Sequence, residues 1–159
     1  MNPKPLLITT PIYYVNDKPH IGHAYTTLLA EVMASFHRSR GREVFFLTGT
    51  DEHGAKVAET AAKRGVAPQV HCDMMVRRFQ DLWKRLGIRP DSFVRTTDAA
   101  HKKIVQEYLQ SLNAGGEIEA RDFEGWYCVG CERFWTQKDL SEETLCPDCR
   151  RPVQRLAER

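Results

Sequence analysis

The chain has 159 residues, of which 42% are hydrophobic and 28% charged, and its formal net charge at pH 7 is +2. That length supports one hydrophobic core with a small appendage, and so small a charge does not announce a nucleic-acid partner. The longest apolar runs fall well short of the roughly 18–20 residues needed to cross a bilayer, and the opening MNPKPLLITT lacks the basic segment and apolar stretch of a secretory signal, so the expected location is cytoplasmic.

Leu6–Thr9, LLIT, is an apolar run ending near Pro11 and reads as a buried strand feeding a loop. A helix follows from about residue 21. Ile21, Tyr25, Leu28, Val32 and Phe36 recur at helical spacing as its expected core face, and Gly41 stops it after Arg38 and Arg40. Glu43–Thr48, EVFFLT, is a second strand, so the first forty-odd residues form a βαβ unit with parallel strands. TGTDEHG then turns the chain into an alanine-rich helix ending at Gly65. Pro68 opens a longer helix to Leu86, with Val70, Met74, Phe79, Leu82, Trp83 and Leu86 as its apolar face. DSFVRTT reads as a third strand, and Asp98 is placed to cap a helix that ends at Gly115–Gly116. Beyond it the texture changes to short strand-like pieces, EIEA and GWYC. The expected domains are therefore residues 1–115 and 116–159. The basic pairs Arg77–Arg78, Lys84–Arg85, Lys102–Lys103 and Arg150–Arg151 read as solvated faces.

Cys128-x-x-Cys131 and Cys146-x-x-Cys149, fourteen residues apart, have the spacing of a four-thiolate metal site. Residues 117–159 are too few to build an independent core, so a staple is expected there. Zn²⁺ in a closed, structural site is the leading reading; an iron site or two disulfides are the alternatives. Arg133, Arg150 and Arg151 lie near enough in sequence to offset the −2 charge of Zn²⁺ with four thiolates. Cys72, alone on a helix, reads as a buried thiol.

His20 and His23 stand one helical turn apart around Gly22, at the start of the first helix. They can be a helix cap or an adventitious metal pair. Their position after the first strand of a parallel sheet, at a helix N-terminus, is however where phosphate-bearing ligands settle. Gly22 costs roughly 1 kcal/mol of helix propensity, which fits a flat ring lying against the backbone. Neither G-x-G-x-x-G nor a P-loop occurs, so a nucleotide there needs another signature.

PHIGH resembles the HIGH signature of class I aminoacyl-tRNA synthetases, and TTPIYYVNDKPHIGHAYTTLLAEV with FLTGTDEHG is similar to the methionine-specific members of that family. GWYCVGCERFW and the paired cysteines resemble their zinc-bearing connective insertion. The resemblance implies the first half of a Rossmann-like catalytic domain in residues 1–115 and an incomplete insertion in 116–159. It implies a methionine–tRNA ligase using ATP with Mg²⁺, L-methionine and tRNA(Met). His20 and His23 would contact the ATP phosphates and serve catalysis, Gly22 would lie against adenine, Ile12 and Tyr14 would line the methionine pocket, and Asp51 would hold the substrate ammonium. Cys128, Cys131, Cys146 and Cys149 would hold Zn²⁺. Glu52 and His53 receive no role.

The family's second signature, a lysine-rich KMSKS loop, does not occur in these 159 residues. The expectation is that this chain, whether a fragment, a split gene product or a truncated frame, is incomplete as a catalyst alone and that adding a polypeptide carrying the missing half restores activity. A noncatalytic zinc-bearing module that binds tRNA or protein is the alternative.

Overall fold

Four parallel strands and the helices between them build the first unit. The computed structural model describes residues 4–140 and 144–158. Its packing divides the chain into two units, Met1–Val105 and Gln106–Arg159. In the first, β1 (Leu6–Thr9) and β2 (Tyr13–Tyr14) lie along one edge of β3 (Val44–Asp51), and β4 (Ser92–Arg95) lies along the other. The register runs Ile8↔Phe46, Tyr14↔Asp51 and Gly49↔Val94. Gly49 is required by that last pairing: a Cβ there would stand 2.2 Å from the Val94 carbonyl oxygen. The third strand read from DSFVRTT is β4, and β3 runs to Asp51, three residues past its expected end.

The helices are α1 (Ile21–Ser39), α2 (Ala55–Lys63), α3 (Pro68–Arg85) and α4 (Ala99–Ala114). The core is formed by Ile8, Tyr13, Val15, Ala30, Ala34, Phe46, Val57, Met75, Val76, Phe79, Trp83 and Ile88, among others.

Two expected helix faces are corrected. On α1 the stripe Ile21, Tyr25, Leu28, Val32 and Phe36 is exposed, with Ile21 at 86% and Tyr25 at 70%, and the buried positions are Thr27, Ala30, Glu31 and Ala34. Periodicity finds an apolar face but not which surface the helix rests on. Small Ala30 and Ala34 let the helix lie close, while Thr27 is held by the Tyr13 hydroxyl at 2.9 Å. Glu31 is satisfied there, accepting the Arg89 N–H at 2.6 Å and the Ser35 hydroxyl at 2.8 Å. On α3, Phe79 and Trp83 are buried as expected. Val70, Met74 and Leu86 are exposed, and His71, Cys72, Met75 and Val76 take the core positions. Asp98 starts α4 through its carbonyl, which accepts the Lys102 N–H at 3.0 Å, and its carboxylate accepts the Arg95 N–H at 3.3 Å.

In the second unit an antiparallel sheet of β5 (Phe123–Cys128), β6 (Arg133–Trp135) and β7 (Gln154–Glu158) has the order β6-β5-β7. GWYC lies in β5. The strand expected at Glu117–Ala120 does not form; with Ile118 exposed, its alternation has no buried face to serve.

Candidate functional site

The turn between β2 and α1 carries the two histidines, and their own hydrogen bonds shape it. His20 is the N-cap of α1, and its Nδ1 accepts the Gly22 N–H at 3.1 Å. His23 Nδ1 in turn accepts the His20 N–H at 3.1 Å. This is a reciprocal capping box with imidazoles in place of the usual hydroxyl and carboxylate. A ring nitrogen that accepts a hydrogen bond carries no proton, so the neutral form of each ring bears its proton on Nε2. The rings stack at 3.8 Å and 24°. The expected flat ring against Gly22 includes His20's own: a Cβ at Gly22 would come within 3.0 Å of His20 Cε1.

His23 is braced from behind. Tyr13 meets it edge-on at 4.8 Å and Phe79 at 5.2 Å. Burial, and then the neighbouring His20, hold its pKa below the ordinary value. At neutral pH it is therefore an uncharged N–H donor, and its contribution to stability is present above pH 6.5 and lost as pH falls through the lowered value.

Strand alternation sorts the next residues. Tyr13 points into the core, while Ile12 and Tyr14 on either side are about half exposed. Tyr14 pairs directly with Asp51 at the carboxyl end of β3. The structure thus brings Ile12, Tyr14 and Asp51 to the same end of the sheet as the histidine turn, where ligands of open parallel sheets bind.

Glu52 and His53, without a role in the sequence reading, fix the chain directly after Asp51 to β4 and the residues that follow it. The Glu52 side chain is fully buried. Its Oε1 accepts from the Thr50 hydroxyl at 2.6 Å and Arg95 Nε at 2.7 Å, and its Oε2 from Arg95 Nη2 at 2.9 Å and the Thr97 hydroxyl at 2.5 Å. Arg95 Nη2 also reaches Asp73 at 2.6 Å. The Glu52 N–H donates to the Thr96 hydroxyl, and His53 Nε2 donates to the Thr96 carbonyl at 3.1 Å. Burial pushes the Glu52 carboxyl up, but the bonds from Arg95, Thr50 and Thr97 outweigh it and hold the pKa below the usual range. The pair's contribution to stability is therefore complete above pH 4.5 and lost as pH falls through the lowered value. No spacing rule links residues 52, 73 and 95, so this network had no sequence signal.

Arg95→Ala is expected to destabilise the first unit by about 3–5 kcal/mol, because it leaves a buried carboxylate unpaired. Urea unfolding followed by circular dichroism measures this. A loss below about 1 kcal/mol, the scale of an exposed pair, would contradict it.

Two other buried groups are structural. His71 Nε2 donates to the Val15 carbonyl at 2.7 Å, and its Nδ1 meets Arg64 at 3.3 Å, which holds the ring in place. Cys72 is buried as expected; burial, with the charge of Glu52, pushes its thiol up to about 11, so it is inert at neutral pH.

In the second unit Cys128, Cys131, Cys146 and Cys149 converge, with all four sulfurs within 4.8 Å of one another. Cys128 Sγ and Cys149 Sγ are 3.5 Å apart, and Cys131 Sγ and Cys146 Sγ 3.8 Å. Tetrahedral Zn–S bonds of about 2.3 Å require sulfurs about 3.8 Å apart, so the set fits a metal. A disulfide needs about 2.05 Å, and all four thiols are free. Glu132 and Arg150, each following the second cysteine of its pair, adopt φ of 52° and 59°. Arg151 covers Gly130 so closely that a Cβ there would lie 2.7 Å from its Nη1. Arg133 instead stacks on Trp135 at 4.3 Å and reaches Asp148 at 3.6 Å.

Residues 6–158 match the family described as tRNA synthetases class I (M). Curated relatives include the methionine–tRNA ligases of Thermotoga maritima, 49% identical over 95% of this chain, and of Caldanaerobacter subterraneus subsp. tengcongensis, 50% identical over 98% of it. The chain spans about a quarter of the length of either, 24%. Among solved structures, Mycobacterium tuberculosis methionyl-tRNA synthetase in complex with methionyl-adenylate is similar at a TM-score of 0.89 and 39% identity, over 98% of this chain and 31% of that one. The expected α/β fold is borne out by that likeness. With the family match covering nearly all of it, the chain belongs to the methionine-type class I tRNA synthetases.

Proposed function

We propose that this chain supplies the amino-acid-activating part of a methionine–tRNA ligase. The observation that carries the reading is the histidine capping box: each Nδ1 is consumed by a backbone N–H, which leaves two Nε2–H donors side by side at a helix N-terminus. ATP enters with Mg²⁺, and its adenine lies against Gly22. A methionine carboxylate oxygen attacks the α-phosphorus, the bond to pyrophosphate breaks, and methionyl adenylate remains. His20 and His23 donate to the phosphate oxygens on which charge develops, with no protein nucleophile. Asp51 holds the substrate ammonium, and Ile12 and Tyr14 line the thioether pocket. The 3′-terminal ribose hydroxyl of tRNA(Met) then attacks the acyl carbon, and AMP leaves.

Cys128, Cys131, Cys146 and Cys149 hold a structural Zn²⁺ in the insertion, which we place at residues 116–159 after the catalytic half at 1–115. The half-reaction needs cationic donors for the departing pyrophosphate, and the chain holds no lysine-rich loop to supply them. The exposed apolar residues of α1 and of α4, including Ile104 and Tyr108, suit burial against a polypeptide supplying the rest of the relatives' length. We place the ligase in the cytoplasm; among the described residues no helix is long and apolar enough to cross a membrane.

The test uses a chimera in which this chain replaces the matching segment of the T. maritima ligase, assayed by ATP–pyrophosphate exchange. Exchange is expected to depend on methionine. Asp51→Asn is expected to raise the KM for methionine about 100-fold, from loss of a charge-assisted bond worth roughly 1.5–3 kcal/mol together with the ion pair, and to leave the KM for ATP within about twofold. Equal losses for both substrates would make Asp51 a structural cap.

A further inference from the structure

At the opposite end of β4 from the histidines lies a cavity of about 370 Å³ that the proposed reaction does not use. Its wall is formed by Gln80, Trp83 and Lys84 at the end of α3, the loop Gly87–Pro90 and Phe93 of β4. Three features set it apart from a packing defect. First, the Trp83 side chain is only 3% exposed, and its Nε1–H is buried with no hydrogen-bond acceptor among the described residues. With no hydrogen bond to hold it, the indole is kept in the wall by packing alone, and an occupant lying on its face adds to that packing.

Second, the charged residues of the wall are Lys84 and Arg89, neither of which has an ion-pair partner among the described residues. The nearby carboxylates are engaged elsewhere. Glu31 accepts from the Arg89 N–H and the Ser35 hydroxyl; Asp91 accepts from the Phe46 N–H at 2.6 Å and Arg38 at 2.5 Å. Third, Ile88, Pro90, Phe93 and the indole face supply an apolar lining. An apolar, aromatic-walled cavity edged by two unpaired cations has the make-up of a small-molecule site.

We propose that this cavity binds a small aromatic or heteroaromatic carboxylate, its ring against Trp83 and Phe93 and its anion facing Lys84 and Arg89. The site rests on the geometry of the first unit alone and is independent of the ligase reading. It is also wired to the histidine turn by contact. Trp83 meets Tyr13 at 6.0 Å and Phe79 at 5.8 Å, the two rings that brace His23. An occupant that fixes the Trp83 ring stiffens the backing of that histidine.

The test is a titration of the ¹⁵N-labelled 159-residue chain with indole-3-acetate, read on the indole N–H resonances of its three tryptophans, Trp83, Trp126 and Trp135. The Trp83 resonance, identified with Trp83→Phe, is expected to shift saturably. The uncharged indole-3-acetamide is expected to bind about tenfold more weakly, and so is indole-3-acetate to the Lys84→Glu/Arg89→Glu variant, whose exposed substitutions leave the fold intact; hydrogen bonds to charged groups are of that worth. Should Trp83→Phe fail to fold, the double variant carries the comparison, and its unshifted resonance identifies Trp83. No saturable shift at any indole, a Trp83 shift no larger than those of Trp126 and Trp135, or binding indifferent to both the amide and the double variant would each overturn the proposal.

Discussion

Cys146→Ser is expected to abolish metal binding and to unfold the second unit, leaving the first unit folded. In the described part of Gln106–Arg159 the fully buried residues are Cys128 and Cys146, so the thiolates themselves are the core. A sheet of β6-β5-β7 with its aromatic contacts, Phe123 on Phe134 at 5.0 Å and Tyr127 on Phe134 at 4.9 Å, buries too little to stand alone. Structural Zn²⁺ contributes about 10–16 kcal/mol in small zinc domains, against about 5–15 kcal/mol for the total stability of an ordinary domain. Loss of one sulfur therefore removes the fold of this unit rather than loosening it. The measurement is metal content by elemental analysis, with the indole resonances of Trp126 and Trp135 collapsing to random-coil positions on chelation. A dispersed spectrum for both after complete removal of metal would show that the sheet holds without it.

His23→Ala in the chimera is expected to lower the rate of methionyl-adenylate formation about 10²–10³-fold, the cost of one positioned donor to developing charge, with little change in the KM for methionine. His20→Ala is expected to cost as much and to destabilise α1 as well, by about 1 kcal/mol, because it removes the N-cap. The two losses are not expected to add, because the stacked rings act as one unit. His23→Gln, which keeps an N–H donor of similar reach, recovers part of the rate if donation is the role. Recovery by glutamine equal to alanine would assign His23 to packing against Tyr13 and Phe79 instead.

Local chemistry was the legible part of this protein. The strand at Leu6–Thr9, the helix starts at Pro68 and near residue 21, and the four-cysteine spacing all follow from signals within a few residues, and the structure places them as read. What failed was anything set by a distant surface. The α1 stripe through Ile21 and Phe36 is apolar, yet the sheet receives the small face with Ala30 and Ala34, because closeness of approach and not hydrophobicity decides that contact. The α3 face was turned by about one residue for a related reason: polar His71 earns a core place through the Val15 carbonyl, a partner 56 positions away. The strand expected at Glu117–Ala120 had the alternation but no neighbour. In the candidate site the histidines and Gly22 stand at the helix start where their motif puts them, and Ile12 and Tyr14, named only through the family resemblance, fall at the half-exposed positions beside Tyr13. The Glu52–Arg95–Asp73 network was not, since a buried charge pair between separate elements leaves no periodic trace.

Single-turnover formation of methionyl adenylate shows whether this chain carries a working histidine turn for methionine activation. Three proteins are compared: the 159-residue chain alone, the chimera with the T. maritima ligase, and the chimera carrying His23→Ala. No detectable adenylate is expected from the chain alone, methionine-dependent adenylate from the chimera, and a rate about 10²–10³-fold lower with His23→Ala. A folded, zinc-loaded chimera that makes no adenylate, or one whose rate is unchanged by His23→Ala, would contradict that expectation.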